Sequence, residues 1–532
     1  MSGTTVRPAA GSSRSASPRS LRLPFSLTPV GAVIAAATLL ALGLRAYQLA
    51  RPGHLLGVGD YDDGADFGSA LWLVHGVLPY RDFVLVQPPG ITVLMAPAAL
   101  LSKVASTAWA IAAGRILTAL AGAAAVVLGG LLVRHRGVLA TLLTCGIIAI
   151  YPGSVQAAHT VLLEPWLTAF CLAGALAVFD GDRLASGWRL VWGGAALGFA
   201  GAIKVWAIIP VAVILVFCLR RPRQAARFVA GVAAGFLIPV IPFAALAPRR
   251  FYDSVVAAQL ARTGSRIPLG FRLQYLTGMT GWLPGTAVFL TVAIVMALVV
   301  AGTIVAAWRV TPHPPPQPPS RPAPLEWFAL WTAVLVTVAF MVPVDFYYHY
   351  AGFLAPFLAM AFALPAARLM DAWEHPPGWV RKSVIPVTGL VILVLPLAVP
   401  RAENSPTPTY SSALPAVERV IPPGSCVLTD EVALLISADR FVSANPACPV
   451  VIDGTGTSYA LASGRNSFTA GRVPAVASVW RQAFLAARYV LITPYNSYRI
   501  AWTPELRAYF RAHFTRVSGD WAPLELYVRK GG

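Results

Sequence analysis

Eleven apolar runs in the first 400 residues constrain the fold of this chain more than any other feature. A helix needs about 20 mainly apolar residues to cross a bilayer, and several of these runs approach or exceed that length. The 532 residues are 57% hydrophobic and only 12% charged, which is more apolar surface than one soluble core can bury. We therefore predict an α-helical polytopic membrane protein with about 11 transmembrane helices. The predicted spans are 28–47, 107–133, 138–152, 163–179, 190–203, 205–219, 228–247, 286–308, 325–342, 351–367 and 383–399.

Basic residues set the expected orientation of these helices. The chain has 41 Lys and Arg against 22 Asp and Glu, a formal charge of +19, and the arginines mostly separate apolar runs. A nucleic-acid-binding protein would carry such charge on a polar surface, so we expect no nucleic-acid partner. If the Ser-, Arg- and Pro-rich residues 1–27 are a disordered cytoplasmic leader, every predicted inner loop is basic, as the positive-inside rule requires. We therefore expect a multi-pass plasma-membrane protein with a cytoplasmic N-terminus, a helix lying at the interface over 91–104, and an extracytoplasmic C-terminus.

Composition divides the chain after the last predicted span. Residues 28–399 form the predicted transmembrane domain. The more polar residues 400–532 alternate β-branched runs with helical stretches, which predicts a small extracytoplasmic α/β domain. Cys426 and Cys448 lie in this region and can form a disulfide if it faces an oxidising compartment. Strands are predicted at 425–429, 449–453, 488–493 and 524–529, and helices near 431–438, 473–486 and 503–513.

Acidic residues are scarce in this chain but concentrated in the first predicted outer loop, residues 48–106. Asp62 and Asp63 follow the first span and precede an amphipathic stretch, 65–75, that can lie along the membrane. A carboxylate at the edge of the bilayer can accept a proton from an acceptor hydroxyl, provided that burial or nearby charge tunes its pKa. The alternative is that these acids cap a helix or are solvated in the loop.

Two further groups of charged residues are predicted at the outer membrane face. Glu164 begins a predicted span and His159 lies shortly before it; they are candidates for contact with an acceptor or a metal. A carboxylate at this position also stabilises a helix N-terminus, so a capping role is the alternative. Lys204, Arg262 and Arg266 are candidates for binding a donor phosphate, because their donors stabilise a departing phosphodiester. Attraction to anionic lipid headgroups is the other explanation for outer-loop arginines.

An aromatic segment lies between the predicted spans 325–342 and 351–367. Tyrosines concentrate at membrane interfaces, so an ordinary aromatic belt explains part of this pattern. An Asp and a His among them favour a binding role, because aromatic faces suit sugar rings and Tyr or His donors suit phosphate oxygens. The candidate residues for sugar, lipid or phosphate contact here are Asp345, Tyr347, Tyr348, His349 and Tyr350.

The first outer loop resembles that of the GT-C glycosyltransferases, which include protein mannosyltransferases, aminoarabinose transferases and arabinosyltransferases. The residues that carry the resemblance are the pair Asp62-Asp63, the stretch 65–75, the PYRDF segment at 79–83, and Gln87 in the QPPG segment at 87–90. The resemblance implies a GT-C-like fold, a polyprenyl-phosphate sugar donor, and a glycan, lipid or protein acceptor.

The same resemblance implies roles for individual residues. Asp62 would be the general base of an inverting displacement, with Asp63 as its partner, and Gln87 would contact sugar or lipid. The sugar would be of the mannose or arabinofuranose class. Asp66 lies where members of this family often have an aromatic or aliphatic side chain.

Two points stay open at the level of sequence. No cofactor is certain; a divalent cation is possible, because acids of the first loop, Glu164, His159 and His349 include potential ligands, but their spacing defines no coordination geometry. The alternative function is a transporter or flippase of a lipid-linked saccharide. That function predicts ionisable residues near the bilayer midplane and inverted repeats, neither of which is found in the sequence.

Overall fold

A computed structural model describes residues 28–264, 266–277, 286–310, 322–373, 377–394, 410–494, 497–519, 521 and 523–531. The predicted leader, 1–27, lies outside the described residues. The N-terminal part, up to residue 394, is helical apart from the short hairpin of β1 (Phe179–Asp180) and β2 (Arg183–Leu184). Its helices are α1 Pro29–Ala50, α2 Tyr61–Val74, α3 Gly90–Ala99, α4 Thr107–Val133, α5 Gly137–Ile150, α6 Pro152–Ala157, α7 Leu163–Val178, α8 Trp188–Ile203, α9 Ile208–Cys218, α10 Pro222–Leu246, α11 Pro248–Tyr252, α12 Ala258–Leu260, α13 Leu269–Leu276, α14 Thr286–Arg309, α15 Pro324–Met341, α16 Ala351–Ala372 and α17 Gly378–Val394.

Several of these helices have the length and composition of membrane spans. Among the described residues, five helical segments are long and apolar enough: Pro29–Ala50, Thr107–Ile150, Pro222–Leu246, Pro324–Met341 and Tyr348–Ala372. The second is two helices, because Gly137 has a φ of 86° and α4 and α5 pack on each other after that turn. Shorter apolar helices lie at Gly90–Lys103, Leu163–Val178, Val205–Cys218 and Ala293–Arg309. The chain therefore has the character of a membrane protein, while the total of eleven spans stays a prediction.

Close helix packing fixes the position where α8 ends. α8 and α10 are in extensive contact, and glycines on both helices face the partner backbone. A Cβ on Gly198 would lie 2.1 Å from the carbonyl oxygen of Val232, and one on Gly235 would lie 2.0 Å from that of Ala195. Small residues at such crossings let two apolar helices approach each other closely. The end of α8, where Lys204 follows, is held by this packing.

The C-terminal part combines short helices with one sheet. Strands β3 (Val427–Thr429), β4 (Tyr489–Ile492), β5 (Phe514–Arg516) and β6 (Glu525–Arg529) form it in the order β3-β4-β6-β5. β3 is parallel to β4, and the other two pairings are antiparallel. The helices are α18 Leu414–Val420, α19 Val432–Ser437, α20 Gly454–Leu461, α21 Ser467–Ala470, α22 Pro474–Ala486 and α23 Pro504–His513.

The predicted secondary structure of this part is right for three of four strands. The run 449–453 is not a strand, and that prediction is wrong. Pro449 cannot donate a hydrogen bond to a sheet, and Asp453 instead caps α20 by accepting from the backbone N–H of Gly456 at 2.7 Å. Cys426 and Cys448 form a disulfide, with a Cα–Cα distance of 5.5 Å.

The C-terminal part packs directly on the first loop. Phe67 and Leu71 of α2 share one apolar core with Val432 and Ile436 of α19. The two helices approach so closely that a Cβ on Gly64 would lie 2.4 Å from a backbone nitrogen of α19. This contact brings residues from both ends of the chain to one place.

Candidate active site

A cavity of about 750 Å³ lies between the first loop, the beginnings of α7 and α16, and the C-terminal part. This volume lies within the range of small-molecule binding sites, about 300–1,000 Å³. Acidic, basic and aromatic side chains line the cavity together. Because its walls include both the first loop and residues after 410, these two regions lie on the same side of the molecule.

The N-terminus of α2 places Asp62 in this cavity. Asp60 is the N-cap and accepts from the backbone N–H of Asp62 at 3.0 Å, so the helix-capping role belongs to Asp60 rather than to the predicted pair. The hydroxyl of Tyr348 donates to the other oxygen of Asp60 at 2.9 Å. The Asp62 side chain is 39% exposed and lines the cavity.

Four charged side chains then form a continuous chain across the cavity wall. Oδ2 of Asp62 lies 3.5 Å from Nε2 of His349, and Nδ1 of His349 lies 2.8 Å from Oε2 of Glu164. Nζ of Lys204 donates to Oε1 of Glu164 at 2.6 Å and lies 4.2 Å from the centre of the Tyr350 ring. Glu164, Lys204 and His349 are all buried, so their mutual pairing offsets the cost of removing each charge from water.

These residues come from separate interruptions in the helices. Lys204 is in extended backbone between α8 and the 3-10 turn Val205–Ala207, and His349 is in the 3-10 turn Tyr348–Tyr350 before α16. Glu164 is in the first turn of α7. These three charged side chains thus lie where helices begin or end.

Asp63 points away from Asp62. Both Nε, at 3.1 Å, and Nη2 of Arg115 on α4 donate to Oδ2 of Asp63, and the backbone N–H of Val161 donates to its Oδ1 at 2.7 Å. Neither member of this ion pair has any exposed side-chain surface, and neither lines the cavity. Asp63 anchors α2 to α4, which corrects its predicted place beside the reacting groups.

A second cation, Arg262, faces the cavity from the loop after α12. Its Nη1 donates to Oδ2 of Asp345 at 3.3 Å, and Tyr459 of the C-terminal part donates to the same oxygen at 3.1 Å. The guanidinium lies 4.7 Å from the centre of the Tyr459 ring. Nε of Arg262 is buried and has no hydrogen-bond partner among the described residues, whereas the side chain as a whole is 16% exposed and lines the cavity.

Burial and charge separate the pKa values of the acids on α2. Burial tends to raise the pKa of Asp62, but contact with His349 and the charge of Lys204 outweigh it and lower that pKa below its usual value. Burial and repulsion from Asp62 raise the pKa of Asp60. Asp66, one turn after Asp62, also lines the cavity, and burial followed by repulsion from Asp62 raises its pKa well above the usual value. Asp62 is therefore the acid of this group that is held ionised.

The remaining predicted residues divide between the cavity and other places. Gln87 and Tyr347 line it, as do Tyr348 and Tyr350. His159 and Arg266 do not line it, which corrects both predictions.

Each of these two residues has a different environment. His159 is buried and its ring centre lies 5.8 Å from that of His54, so it does not join Glu164. Nη2 of Arg266 donates to the carbonyl oxygen of Met341 at 2.8 Å, and its side chain is exposed on the outside of the loop.

The C-terminal part contributes residues that the sequence alone did not identify. Tyr61 donates to Oδ1 of Asp453 at 2.7 Å, and the Arg499 guanidinium lies 3.6 Å from the centre of the Tyr61 ring. Arg499 is also paired with Glu431, which is buried. These contacts hold the residue that directly precedes Asp62, and no local pattern in the sequence indicates them.

No group of three or more His, Cys, Asp or Glu side chains is arranged to hold a metal ion within the ranges that the structure describes. His349 instead contacts both Asp62 and Glu164, and Glu164 also binds Lys204.

Known proteins share the fold of this chain. Residues 101–224 match the family model "Dolichyl-phosphate-mannose-protein mannosyltransferase". ArnT from Cupriavidus metallidurans is similar in the apo state, with a TM-score of 0.61, and bound to undecaprenyl phosphate, with a TM-score of 0.60. In both comparisons the identity is 14%, over 94% of this chain and 98% of ArnT.

The oligosaccharyltransferase of Archaeoglobus fulgidus in its apo form has a TM-score of 0.50 and 15% identity, over 87% of this chain and 69% of that protein. No curated protein sequence matches this chain. The matched proteins are glycosyltransferases or oligosaccharyltransferases of the GT-C type. The comparisons confirm the resemblance to GT-C glycosyltransferases and show that the chain has their membrane fold.

Proposed function

We propose that this protein is a membrane glycosyltransferase that transfers a sugar from a polyprenyl phosphate to an acceptor hydroxyl. The observation that carries the proposal is one cavity in which an ionised carboxylate, Asp62, lies with two cations, Lys204 and Arg262. The fold shared with ArnT, which binds undecaprenyl phosphate, and the mannosyltransferase family match support a lipid-linked donor of this kind.

The donor phosphate would bind the two cations. The Lys204 ammonium has three donors, and the described residues use one of them in the bond to Glu164. Arg262 also lines the cavity, where its side chain is 16% exposed. Charge-assisted hydrogen bonds from such groups stabilise the negative charge that develops on a departing phosphodiester.

Asp62 would act on the acceptor. Its carboxylate takes the proton of the acceptor hydroxyl as the hydroxyl oxygen forms a bond to the anomeric carbon. The bond from that carbon to the phosphate oxygen breaks, and polyprenyl phosphate leaves with the electron pair. Attack opposite the leaving group inverts the anomeric configuration. His349 contacts Asp62 and is itself held by Glu164, and His349 and Lys204 lower the pKa of Asp62.

The reaction would take place on the outer face of the membrane. Disulfides persist in oxidising compartments, and the Cys426–Cys448 disulfide lies in the C-terminal part. That part lines the same cavity as the first loop, so both regions would face the extracytoplasmic side. Mannose or arabinofuranose is the proposed class of sugar, and the family match favours mannose.

The test is transfer from radiolabelled polyprenyl-phosphate mannose or arabinofuranose by purified protein in detergent, where translocation across a bilayer cannot contribute. Asp62→Asn should reduce transfer by about 10²–10⁴-fold, the usual contribution of general acid–base catalysis, and should leave donor binding intact. The matched control is Asp82→Asn, because Asp82 is on the same loop, pairs with Arg81 and lies outside the cavity. Equal transfer by wild type and the Asp62 variant, or no transfer by wild type from either donor, would contradict the proposal.

A further inference from the structure

Two aromatic rings of the C-terminal part are exposed at the cavity. Phe468 is 76% exposed and Tyr498 is 42% exposed, and both line the cavity. Their ring centres lie 5.7 Å apart and the ring planes differ by only 15°. We call Phe468 and Tyr498 together the aromatic pair. An exposed phenylalanine that is stacked on a tyrosine leaves a large apolar surface open to the cavity.

Regular backbone presents both rings to the cavity. Phe468 is in α21, which Asn466 caps by accepting from the backbone N–H of Thr469 at 3.3 Å. Tyr498 is in the 3-10 turn Ser497–Arg499. These elements fix the backbone of the two residues, and each ring lies against the other.

The surroundings of the aromatic pair are polar. Asn466, Ser467 and Thr455 line the same part of the cavity wall as the pair, with Arg499 beside them. The amide nitrogen of Asn466 takes part in none of the hydrogen bonds of the described residues, and it is accessible. A ligand that contacts the aromatic pair therefore also meets hydrogen-bond donors and acceptors at its edges.

This combination matches the surface of a sugar ring. A pyranose or furanose presents C–H groups on its faces and hydroxyls around its edge, so it needs an apolar platform with polar groups beside it. A lipid chain would need a continuous apolar groove, and the polar neighbours of the aromatic pair interrupt one. A folded protein would need a far larger contact surface than two rings provide.

The aromatic pair is also connected to the catalytic loop. The Arg499 guanidinium lies 6.0 Å from the centre of the Tyr498 ring and 3.6 Å from that of the Tyr61 ring. Tyr61 directly precedes Asp62. A ligand bound on the aromatic pair thus lies in the same cavity as the proposed base.

We propose that the aromatic pair is an acceptor subsite and binds a sugar residue of a glycan acceptor. The inference rests on the proposed glycosyltransferase function and narrows its acceptor from glycan, lipid or protein to carbohydrate. The terminal sugar of the acceptor would present its hydroxyl to Asp62, while a sugar further along the same chain stacks on Phe468.

The test measures binding without catalysis. Mannotetraose and an arabinofuranose tetrasaccharide are titrated by calorimetry into the Asp62→Asn protein in detergent, alone and combined with Phe468→Ala, Tyr498→Ala or the control Leu485→Ala. Leu485 is 53% exposed in the C-terminal part and lies outside the cavity. One of the two saccharides should bind. Each aromatic variant should weaken the affinity for that saccharide by about tenfold, as expected for an aromatic anchor. The control should bind as the parent does.

Three results would overturn the subsite. In the first, saccharide binds but the aromatic variants do not weaken its binding. In the second, neither saccharide binds. In the third, a Ser- and Thr-rich peptide binds instead of a saccharide, and the aromatic variants weaken the binding of that peptide. Each is distinguishable from failure of the proposed function, because saccharide binding needs no lipid-linked donor and the transfer assay needs no aromatic pair. If the protein binds saccharide but the wild type transfers no sugar, the saccharide-binding site stands and the proposed glycosyltransferase function is wrong.

Discussion

Asp62 and Asp63 are neighbours in sequence, and the structure predicts opposite consequences when each is replaced by asparagine. Asp63 has no exposed surface and receives three hydrogen bonds, two from the Arg115 guanidinium and one from the backbone N–H of Val161. In Asp63→Asn, the amide NH₂ replaces one carboxylate oxygen. This NH₂ group then faces an N–H donor of Arg115 or Val161 and cannot accept its hydrogen bond. Arg115 then keeps its bonds to the carbonyl oxygens of residues 54, 55 and 57 but loses its counter-charge.

The size of the effect follows from this burial. Removing one partner of a buried ion pair costs about 3–5 kcal/mol, because the other charge stays buried and unpaired. The contact between Asp62 and His349 is 3.5 Å long and its acid is 39% exposed, so Asp62→Asn should cost about 1 kcal/mol or less. We expect Asp63→Asn to unfold several degrees below wild type and Asp62→Asn to unfold close to wild type.

Apparent melting temperatures of detergent-purified protein, followed by tryptophan fluorescence, measure this contrast. The cycle of Asp63→Asn, Arg115→Met and the double variant should give a coupling of about 0.5–3 kcal/mol, the range for residues in direct contact. The reasoning would be refuted if Asp63→Asn melted with wild type and lost transfer as completely as Asp62→Asn. Asp63 would then act on the substrate rather than on α2.

Two other substitutions test how the site is held. His349→Gln removes the contact that lowers the pKa of Asp62, so burial should raise that pKa. An acid with a lowered pKa stays ionised as the pH falls, so wild-type transfer should persist to lower pH, and log(kcat/KM) of the variant should decline at a higher pH than that of wild type. If log(kcat/KM) of the variant declines at the same pH as that of wild type, His349 does not control the ionisation of Asp62. Gly64→Val places a side chain against the backbone of Ala433 and should destabilise the protein by about 1–3 kcal/mol through overpacking, seen as a lower melting temperature. The control is Gly43→Val in α1, because a Cβ on Gly43 meets nothing within 4 Å. Equal melting temperatures of the two variants would contradict the close contact.

The sequence locates the first loop because its acids break an apolar pattern. Asp62, Glu164, Lys204 and His349 all lie at the ends of apolar runs, where ionisable groups are costly. Asp62, Lys204 and His349 line the cavity, and Glu164 contacts both Lys204 and His349. The periodicity of apolar residues predicts such positions well, since it defines where helices begin and end.

The sequence does not show which way a side chain faces within a helical turn. Successive residues of a helix point about 100° apart, so the side chains of Asp62 and Asp63 diverge: Asp62 faces the cavity and Asp63 faces Arg115 of α4. One signal for this was present: Arg115 lies within an apolar run, and a charge there requires a partner. Searching the acids for that partner would have assigned Asp63 to it.

The C-terminal wall of the cavity was beyond the reach of local patterns. Asp453 and Arg499 are more than 390 residues from Tyr61 in sequence, and their types and spacing match no motif. They reach the loop because α19 packs on α2 through an apolar core, which depends on the whole fold. Asp453 also shows how a local interpretation failed, because the β-branched run before it predicts a strand while its carboxylate begins a helix.

The geometry of α2 explains why the first loop contains several acids close together. Residues four apart share one face of a helix, so Asp62 and Asp66 both face the cavity, while Asp63 faces α4. A general base must stay ionised and must also hold its position to within a fraction of an ångström. In this chain the two requirements fall on different residues: His349 and Lys204 keep Asp62 ionised, and Asp63, the Asp60 cap and Tyr61 fix the helix that presents it. Since these fixing contacts reach α4, the Tyr348 turn and the C-terminal part, the position of Asp62 depends on three separate regions of the chain, although the proposed base is a single carboxylate.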